Sequence, residues 1–331
     1  VTAADFLVTT PLPDPGMRLL EAAGSVTVAE TRMSRAQLAD ACASGDYRVV
    51  VAQLRDEFDA ELLDRAKITG ISNFAVGYNN IDIAAATANS IIVGNTPGVM
   101  TDATADIALL LMLAVARRCV EADTFVRSGE FHGWEPELLL GHDVSGRTLG
   151  LAGFGRIARA TARRALAFGM TVVFAPRPPG DRVVNEDELG EFAGRVQQLP
   201  WPELVATSDY LSLHVPLNAE TRHLVDASVL RSMKRSAILI NTARGPIVDE
   251  QALVTALRDG TIAGAGLDVY EDEPRLAPGL AELPNTVLLP HIGSATVPVR
   301  AEMARRCAEN AVAMLRDELP PYPVNPEARA H

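Results

Sequence analysis

Thr148-Leu149-Gly150-Leu151-Ala152-Gly153-Phe154-Gly155-Arg156-Ile157-Ala158 reads as a strand, a tight glycine turn and the start of a helix. Apolar residues run into Gly153, a second glycine follows at 155, and a helical stretch opens from Ile157 to Phe168. At such a turn the first N–H groups of the helix lack intrahelical partners and its positive end faces outward, so the turn suits an anion. Gly153 permits the tight turn, Gly155 lets a pyrophosphate approach the backbone, and Ala158 is the third small residue that lets helix pack on strand. This is the pattern of a dinucleotide-binding βαβ unit, although a glycine turn in another α/β protein, a methyltransferase first among them, produces the same short motif.

On both sides of the turn, short apolar strands alternate with helical segments. Before it, strands are expected at 6–10, 26–29, 48–53, 68–74 and 91–93, with helices at 17–23, 35–43 (capped by Ser34), 59–66 and 81–88. After it come strands at 171–174, 210–213, 237–240, 262–267 and 286–289, and helices at 201–207, 226–234 and 250–258. Such alternation predicts an α/β protein with two Rossmann-like or flavodoxin-like parallel-sheet domains and a cleft between them. Asn95-Thr96-Pro97-Gly98 marks the first crossing between domains. Thr101 or Asp102 caps a long helix, Ala103 to Cys119, apolar on most of its circumference and so buried, in part by a second subunit. The segment from Glu121 to Val144 reads as an irregular arm whose Phe131, Trp134 and Leu138 to Leu140 suit a dimer contact. The helix from Val299 to Leu315 is expected to pack back on the first domain, and Pro320 to Pro326 to lie on the surface.

The 331 residues suffice for two domains with their own cores. Thirty Lys and Arg against 42 Asp and Glu give a net charge of −12, which argues against a general nucleic-acid or anionic-membrane surface. A small anionic substrate is still compatible, since local arginines can hold one. Cys42, Cys119 and Cys307 are scattered and odd in number, which points to a reducing compartment and no metal site. No basic start with a sustained apolar core marks a signal peptide. The longest apolar run, Ile107 to Ala116, falls short of the roughly 20 residues that cross a bilayer. A cytoplasmic location is expected.

Val76-Gly77, Gly153 to Gly155, Val215-Pro216 (after His214), Thr242 to Arg244, Asp268 and His291 all follow apolar strands, and the strand ending at Gln53 delivers Leu54 and Arg55. Ligands of open α/β sheets bind outside the carboxyl ends of the strands, so such loops can face one cleft. Two of these residues, Arg244 and His291, form with Glu273 a set able to reduce a ketone. A guanidinium holds a carboxylate or carbonyl oxygen in a fixed fork, and a histidine gives or takes one proton near neutrality. A carboxylate beside an imidazole favours the imidazolium and fixes the ring. Each residue also has an ordinary reading: a loop histidine, a surface arginine, and one acid in the run Glu271-Asp272-Glu273.

The chain resembles the D-isomer-specific 2-hydroxyacid dehydrogenases. The likeness rests on Ala75-Val76-Gly77-Tyr78-Asn79-Asn80-Ile81-Asp82, Thr101-Asp102-Ala103-Thr104-Ala105-Asp106, Gly153-Phe154-Gly155-Arg156-Ile157, Asn241-Thr242-Ala243-Arg244-Gly245, Gly266-Leu267-Asp268-Val269, Glu271-Asp272-Glu273-Pro274 and Pro290-His291-Ile292-Gly293-Ser294. Motifs in this order across nearly the whole chain are far more specific than any one of them. Within the family the chain looks most like the glyoxylate/hydroxypyruvate reductases.

The resemblance implies catalytic Arg244, Glu273 and His291, with His291 as proton donor. It implies backbone binding of a substrate carboxylate by Val76 and Gly77, with Leu54, Arg55, Ser294 and Leu138 also on the substrate side. Leu138 stands where related reductases carry a tryptophan that reaches the partner's active site. For the cofactor the resemblance implies Thr104, Gly153, Phe154, Gly155, Arg156, Ile157, His214, Val215, Pro216, Thr221, Thr242, Ala243, Asp268 and Gly293, with Asp268 holding the nicotinamide carboxamide. A discontinuous substrate domain (1–98 with 293–331), a dinucleotide domain (99–292) and a homodimer follow by the same resemblance.

The cofactor's phosphate count is read separately. In an NAD fingerprint an acid about 20 residues past the glycines holds the ribose hydroxyls. Here the strand Thr171 to Phe174 runs into Ala175-Pro176-Arg177, so Pro176 takes the acid's place and Arg177 suits a 2′-phosphate. NADP(H) is therefore expected in preference to NAD(H), which stays possible; the competing reading has Asp181 binding the ribose. The expected activity is reduction of a small 2-oxo acid, glyoxylate or hydroxypyruvate first. Formate or phosphite dehydrogenation is the rival within the fold, and a dinucleotide-sensing interaction protein the rival from another class.

Overall fold

Among the described residues the strands pair with one another in parallel ladders, because each is followed by a helix or long crossover before the next begins. The computed structural model describes residues 4–180 and 182–329. Asp181, the competing ribose-binding acid, lies outside the described residues. The chain falls into two compact units, Val1–Met100 with Ala295–His331, and Thr101–Ser294.

The first unit opens with β1 (Ala4–Val8), α1 (Gly16–Ala23), β2 (Val26–Val28), α2 (Arg35–Ser44), β3 (Tyr47–Ala52), α3 (Ala60–Arg65), β4 (Gly70–Asn73), α4 (Ile83–Ala88) and β5 (Ile92–Gly94). Its sheet runs β2-β1-β3-β4-β5. Val49, Val50, Val51 and Ala52 are fully buried, the continuous apolar run of a strand covered on both faces. Helices start where the sequence supplies a cap: Ser34 forms a capping box with Gln37, and Asp59 and Asp82 accept N–H groups of α3 and α4.

The second unit carries α5 (Thr101–Ala116), α6 (Cys119–Arg127), β6 (Thr148–Ala152), α7 (Arg156–Ala167), β7 (Thr171–Ala175), α8 (Glu186–Leu189), β8 (Val196–Gln198), α9 (Trp201–Thr207), β9 (Tyr210–Leu213), α10 (Ala227–Ser232), β10 (Ile238–Asn241), α11 (Glu250–Arg258), β11 (Gly264–Leu267) and β12 (Thr286–Leu288). Its sheet runs β12-β11-β10-β9-β6-β7-β8, so the strand order reverses beside β6, at the glycine turn. One face is covered by α5 and α7, the other by α9, α10 and α11. The chain then returns to the first unit as α12 (Val297–Leu315), which lies on α1, β3, β4 and β5 and buries Met303, Ala304, Cys307, Ala308, Ala311 and Met314.

Two expectations need correction, and two short elements were not foreseen. The helix expected over Ala103–Cys119 begins at Thr101 and stops at Ala116. Arg118 adopts a left-handed backbone (φ 51°) and forks onto Glu121 at 2.7 and 2.8 Å, which breaks the axis and starts α6. The first part of the supposed irregular arm is thus helical. The apolar circumference of α5 is filled largely within its own unit, by β10, β11 and β12 on one side and α7 on the other. Finally, α8 and β8 were not expected: α8 is a single turn, and the edge strand β8 is short, with Gln at two of its three positions. Among the described residues no helix is long and apolar enough to cross a membrane.

Candidate active site

The carboxyl ends of β6, β9, β10, β11 and β12 lie in register along one edge of the second sheet. At the end of β6, Gly153 has φ 94°, and a Cβ there would stand 2.8 Å from the His214 carbonyl oxygen, so only glycine fits. Gly155 differs. Its backbone is extended, and an added Cβ would meet nothing within 4 Å. No side chain caps α7, so its first N–H groups and the space above Gly155 are left to a ligand. Arg156 is exposed at the first turn, Ile157 is half-buried and Ala158 is fully buried. Phe154 is a core side chain, stacked 4.0 Å from Phe174 with the Arg159 guanidinium over its ring, and can serve a ligand only through its backbone.

At the end of β9, His214 Nε2 lies 2.9 Å from Ser212 Oγ, and burial pushes its pKa down to about 4, so the ring is neutral. The next turn closes through Thr221, whose hydroxyl donates to the Pro216 carbonyl at 2.6 Å and accepts the Asn218 N–H; Val215 is buried and Pro216 exposed. At the end of β10, the Asn241 side chain receives the Ala243 N–H and donates to the Arg244 carbonyl, which holds the Thr242–Arg244 turn open. The Thr242 hydroxyl is buried without a hydrogen-bond partner among the described residues. A buried polar atom left so costs free energy unless a ligand supplies the bond. This orphan, the open cradle at Gly155 and the uncapped α7 together fit a dinucleotide.

The chemistry-bearing groups follow. Arg244 is half-buried, and burial lowers its pKa while Glu273 opposes that; a guanidinium stays charged regardless. Gly245 is fixed by close approach: a Cβ there would stand 1.8 Å from the Tyr270 carbonyl, so the backbone after Arg244 packs directly on the loop that carries Glu273. His291 follows β12 with a left-handed backbone (φ 55°), and its Nδ1 lies 2.9 Å from Glu273 Oε2. Strain of this kind in a non-glycine residue, about 1–2 kcal/mol, persists where surrounding structure imposes it. Burial works against the Glu273 anion, yet the His291 bond, the Tyr270 N–H and Arg244 hold its carboxyl below the ordinary value. Glu271 is half-buried while Asp272 and Glu273 are exposed, yet each acid has its own partner. Glu271 meets His223 at 2.6 Å, Asp272 meets Arg275 at 2.8 Å, and Glu273 meets His291.

Asp268 is buried and takes the N–H groups of Ile292 and Gly293, both at 2.7 Å, while Thr104 donates to the Gly293 carbonyl at 3.1 Å. Both residues, expected at the cofactor, therefore also pin the segment that follows His291 and leads to buried Ser294. Burial raises the Asp268 pKa.

In the first unit, Val76 and Gly77 follow β4. Asn95 donates to the Val76 carbonyl at 2.7 Å and Asn73 to the Gly77 carbonyl at 3.0 Å, which fixes the loop through its acceptors. Asn73 was not singled out in the sequence and Asn95 was read only as the start of the domain crossing, because nothing in their spacing marks a role at this loop. Leu54 is half-buried and Arg55 exposed beside Thr10. Leu138 is half-buried and Trp134 83% exposed. Arg177 is exposed after β7, and Pro176 is half-buried. Among the described residues no cluster of His, Cys, Asp and Glu is placed to hold a metal ion.

The family model described as "D-isomer specific 2-hydroxyacid dehydrogenase, NAD binding domain" matches residues 109–293. A glyoxylate reductase of Thermococcus litoralis is 50% identical over 281 residues, 83% of each chain. One of Thermococcus onnurineus is 46% identical over 329 residues, covering 97% of this chain and 96% of the relative. Among solved structures, an NADPH-dependent glyoxylate/hydroxypyruvate reductase of Sinorhizobium meliloti in complex with NADP and malonate superposes with a TM-score of 0.83 at 34% identity, over 98% of both chains. With the glycine turn, the His291–Glu273 pair and Arg244 on one sheet edge, this chain belongs to the D-isomer-specific 2-hydroxyacid dehydrogenase family.

Proposed function

We propose that the protein reduces a small 2-oxo acid, glyoxylate or hydroxypyruvate, to the 2-hydroxy acid with a reduced nicotinamide dinucleotide. The observation that carries this reading is the His291–Glu273 hydrogen bond: with Nδ1 turned to the carboxylate, Nε2 is left to face substrate. A dinucleotide held by the second unit would supply hydride chemistry to the carbonyl carbon. As negative charge develops on the carbonyl oxygen, protonated His291 donates from Nε2, and Glu273 stabilises the imidazolium before the transfer. Arg244 polarises the carbonyl and helps hold the carboxylate. In the first unit the Val76 and Gly77 carbonyls are taken by Asn95 and Asn73, which leaves the N–H groups of this loop as donors for a carboxylate. In this reading the first unit binds substrate and the second the dinucleotide. Thr242, Ala243, Asp268, Gly153–Ile157, His214–Pro216 and Thr221 serve the dinucleotide, directly or by shaping its loops.

We further infer NADPH over NADH. Pro176 offers neither a carboxylate nor an N–H to the ribose, and Arg177 is exposed beside it, free to bond a 2′-phosphate. The Sinorhizobium relative is described as NADPH-dependent. A homodimer through Ala103–Cys119 and the arm to Val144 is supported by exposed Leu110, Val120, Val126, Phe131, Trp134 and Leu140. A steady-state panel of 2-oxo acids with each cofactor tests these readings. Glyoxylate or hydroxypyruvate should be turned over fastest, and Arg177→Ala should raise the KM for NADPH by about one to two decades while leaving that for NADH in place. Equal effects on both constants would remove the role given to Arg177, and no turnover of either acid would remove the substrate assignment.

A further inference from the structure

An acid in the first turn of a helix ordinarily faces solvent, where it complements the helix's positive end. Glu250 opens α11 and is instead 4% exposed. Its carboxylate accepts the Glu271 N–H through Oε1 and the Ala277 N–H, at 3.2 Å, through Oε2. These two N–H groups lie on either side of Glu273. The Glu271 carboxylate returns a bond to the Glu250 N–H at 3.4 Å and takes His223 at 2.6 Å and Arg222 at 3.3 Å. Just ahead of that clamp, Tyr270 gives its N–H to Glu273 Oε1 at 3.1 Å, which leaves Oε2 for His291.

We propose that Glu250 is a positioning residue for proton transfer: its buried carboxylate fixes loop 271–277 at both ends and so holds Glu273 against His291. A carboxylate is costly to bury, and Glu271 and Glu273 add repulsion, so burial raises the Glu250 pKa against the pull of its two backbone bonds. Packing alone would be served better by an apolar side chain at this position. What an apolar side chain could not do is accept two converging N–H groups. The contact of Gly245 with the Tyr270 backbone extends the effect, since a loop that relaxes withdraws support from the segment after Arg244. The charged groups that act on the Glu273–His291 pair are Arg244, Asp268 and Glu250 itself, and neither Arg244 nor Asp268 bonds Glu250.

The inference rests on the proton-donor role given to His291, and its test separates the two. Glu250→Gln keeps shape but sets an NH2 against one of the two N–H groups. In the full-length variant, the far-downfield proton resonance of the His291 Nδ1–H···Glu273 bond should vanish or move upfield, a readout independent of turnover. The kcat for 2-oxo acid reduction should fall roughly tenfold, the scale of one lost charge-assisted hydrogen bond. Its alkaline limb should move to lower pH, while the KM for NADPH holds. Because Glu250 acts through Glu273, the double variant Glu250→Gln/Glu273→Gln should be no slower than Glu273→Gln alone. Should Glu250→Gln not fold, Glu250→Asp, one methylene short of spanning both N–H groups, carries the same expectations. An unmoved resonance, or losses that multiply in the double variant, overturns the inference. A lost resonance in Glu250→Gln beside a His291→Ala enzyme that turns over normally would overturn the proton-donor reading and leave the positioning role standing.

Discussion

Glu273 joins two demands in one carboxylate: one oxygen is spent on its own loop, through the Tyr270 N–H, and the other on His291. Two glycines on this sheet edge, Gly245 and Gly155, separate structural from ligand-driven constraint. Gly245→Ala would drive a Cβ into the Tyr270 carbonyl, and should cost stability at or beyond the top of the overpacking range, about 3 kcal/mol. Gly155→Ala meets open space, so thermal unfolding should move by no more than about 0.5 kcal/mol, while the KM for NADPH rises about tenfold or more. Parallel unfolding and kinetic measurements on the two variants check the contrast. His214 supplies a pH signature. Its folded pKa of about 4 lies below the ordinary 6.5, so between those values the unfolded chain binds a proton that the native one does not. Stability should therefore fall as pH drops from 6.5 toward 4, by up to about 1.4 kcal/mol per pH unit for this group. A His214→Gln variant should show a flatter acid limb in unfolding free energy against pH; an identical limb would exclude His214 as its source.

Elements were legible where periodicity and caps agree. The α11 helix is bounded in the sequence by Asp249 and the charged end at Arg258, and β9 by its turn residues; both were read with their observed limits. The α5–α6 break was not legible, because Arg118 is an ordinary helix former and its left-handed backbone is set by its fork onto Glu121 and its bond to the Leu140 carbonyl. Likewise β8 offers only Val-Gln-Gln, too short and polar to show a strand period. Glu250 looked like any first-turn acid; only the packing of loop 271–277 gives it a second role. Packing also refines the dimer argument. The apolar residues of α5 are mostly used within its own unit, and the exposed ones cluster on α6 and the following arm. Val126→Glu with Trp134→Glu should therefore shift a dimer to monomer in light scattering at micromolar concentration, with turnover assayed alongside. A variant that keeps wild-type mass would move the interface elsewhere.

At the scale of the whole molecule, the sequence alternation predicts two parallel sheets because buried strands must be continuously apolar and must be joined by crossovers. The return of the chain to the first unit was legible in the helix expected from Val299 to Leu315, and the resemblance set its bounds; its physical basis is α12, whose buried Met303, Cys307 and Met314 complete the core laid down by β1, β3 and α1. The catalytic set was ambiguous by spacing alone, since a run of three acids and a loop histidine have ordinary readings. In the structure the three acids take three separate partners, and the role proposed for Glu273 rests on its bond to His291. The central claim is that these residues reduce a 2-oxo acid with His291 as the proton donor. The most direct measurement compares NADPH oxidation by glyoxylate in wild-type protein and in folded His291→Ala that still binds NADPH. The account predicts robust turnover by the wild type and a loss of roughly a hundredfold or more in the variant; a His291→Ala protein that matches the wild-type rate would contradict it.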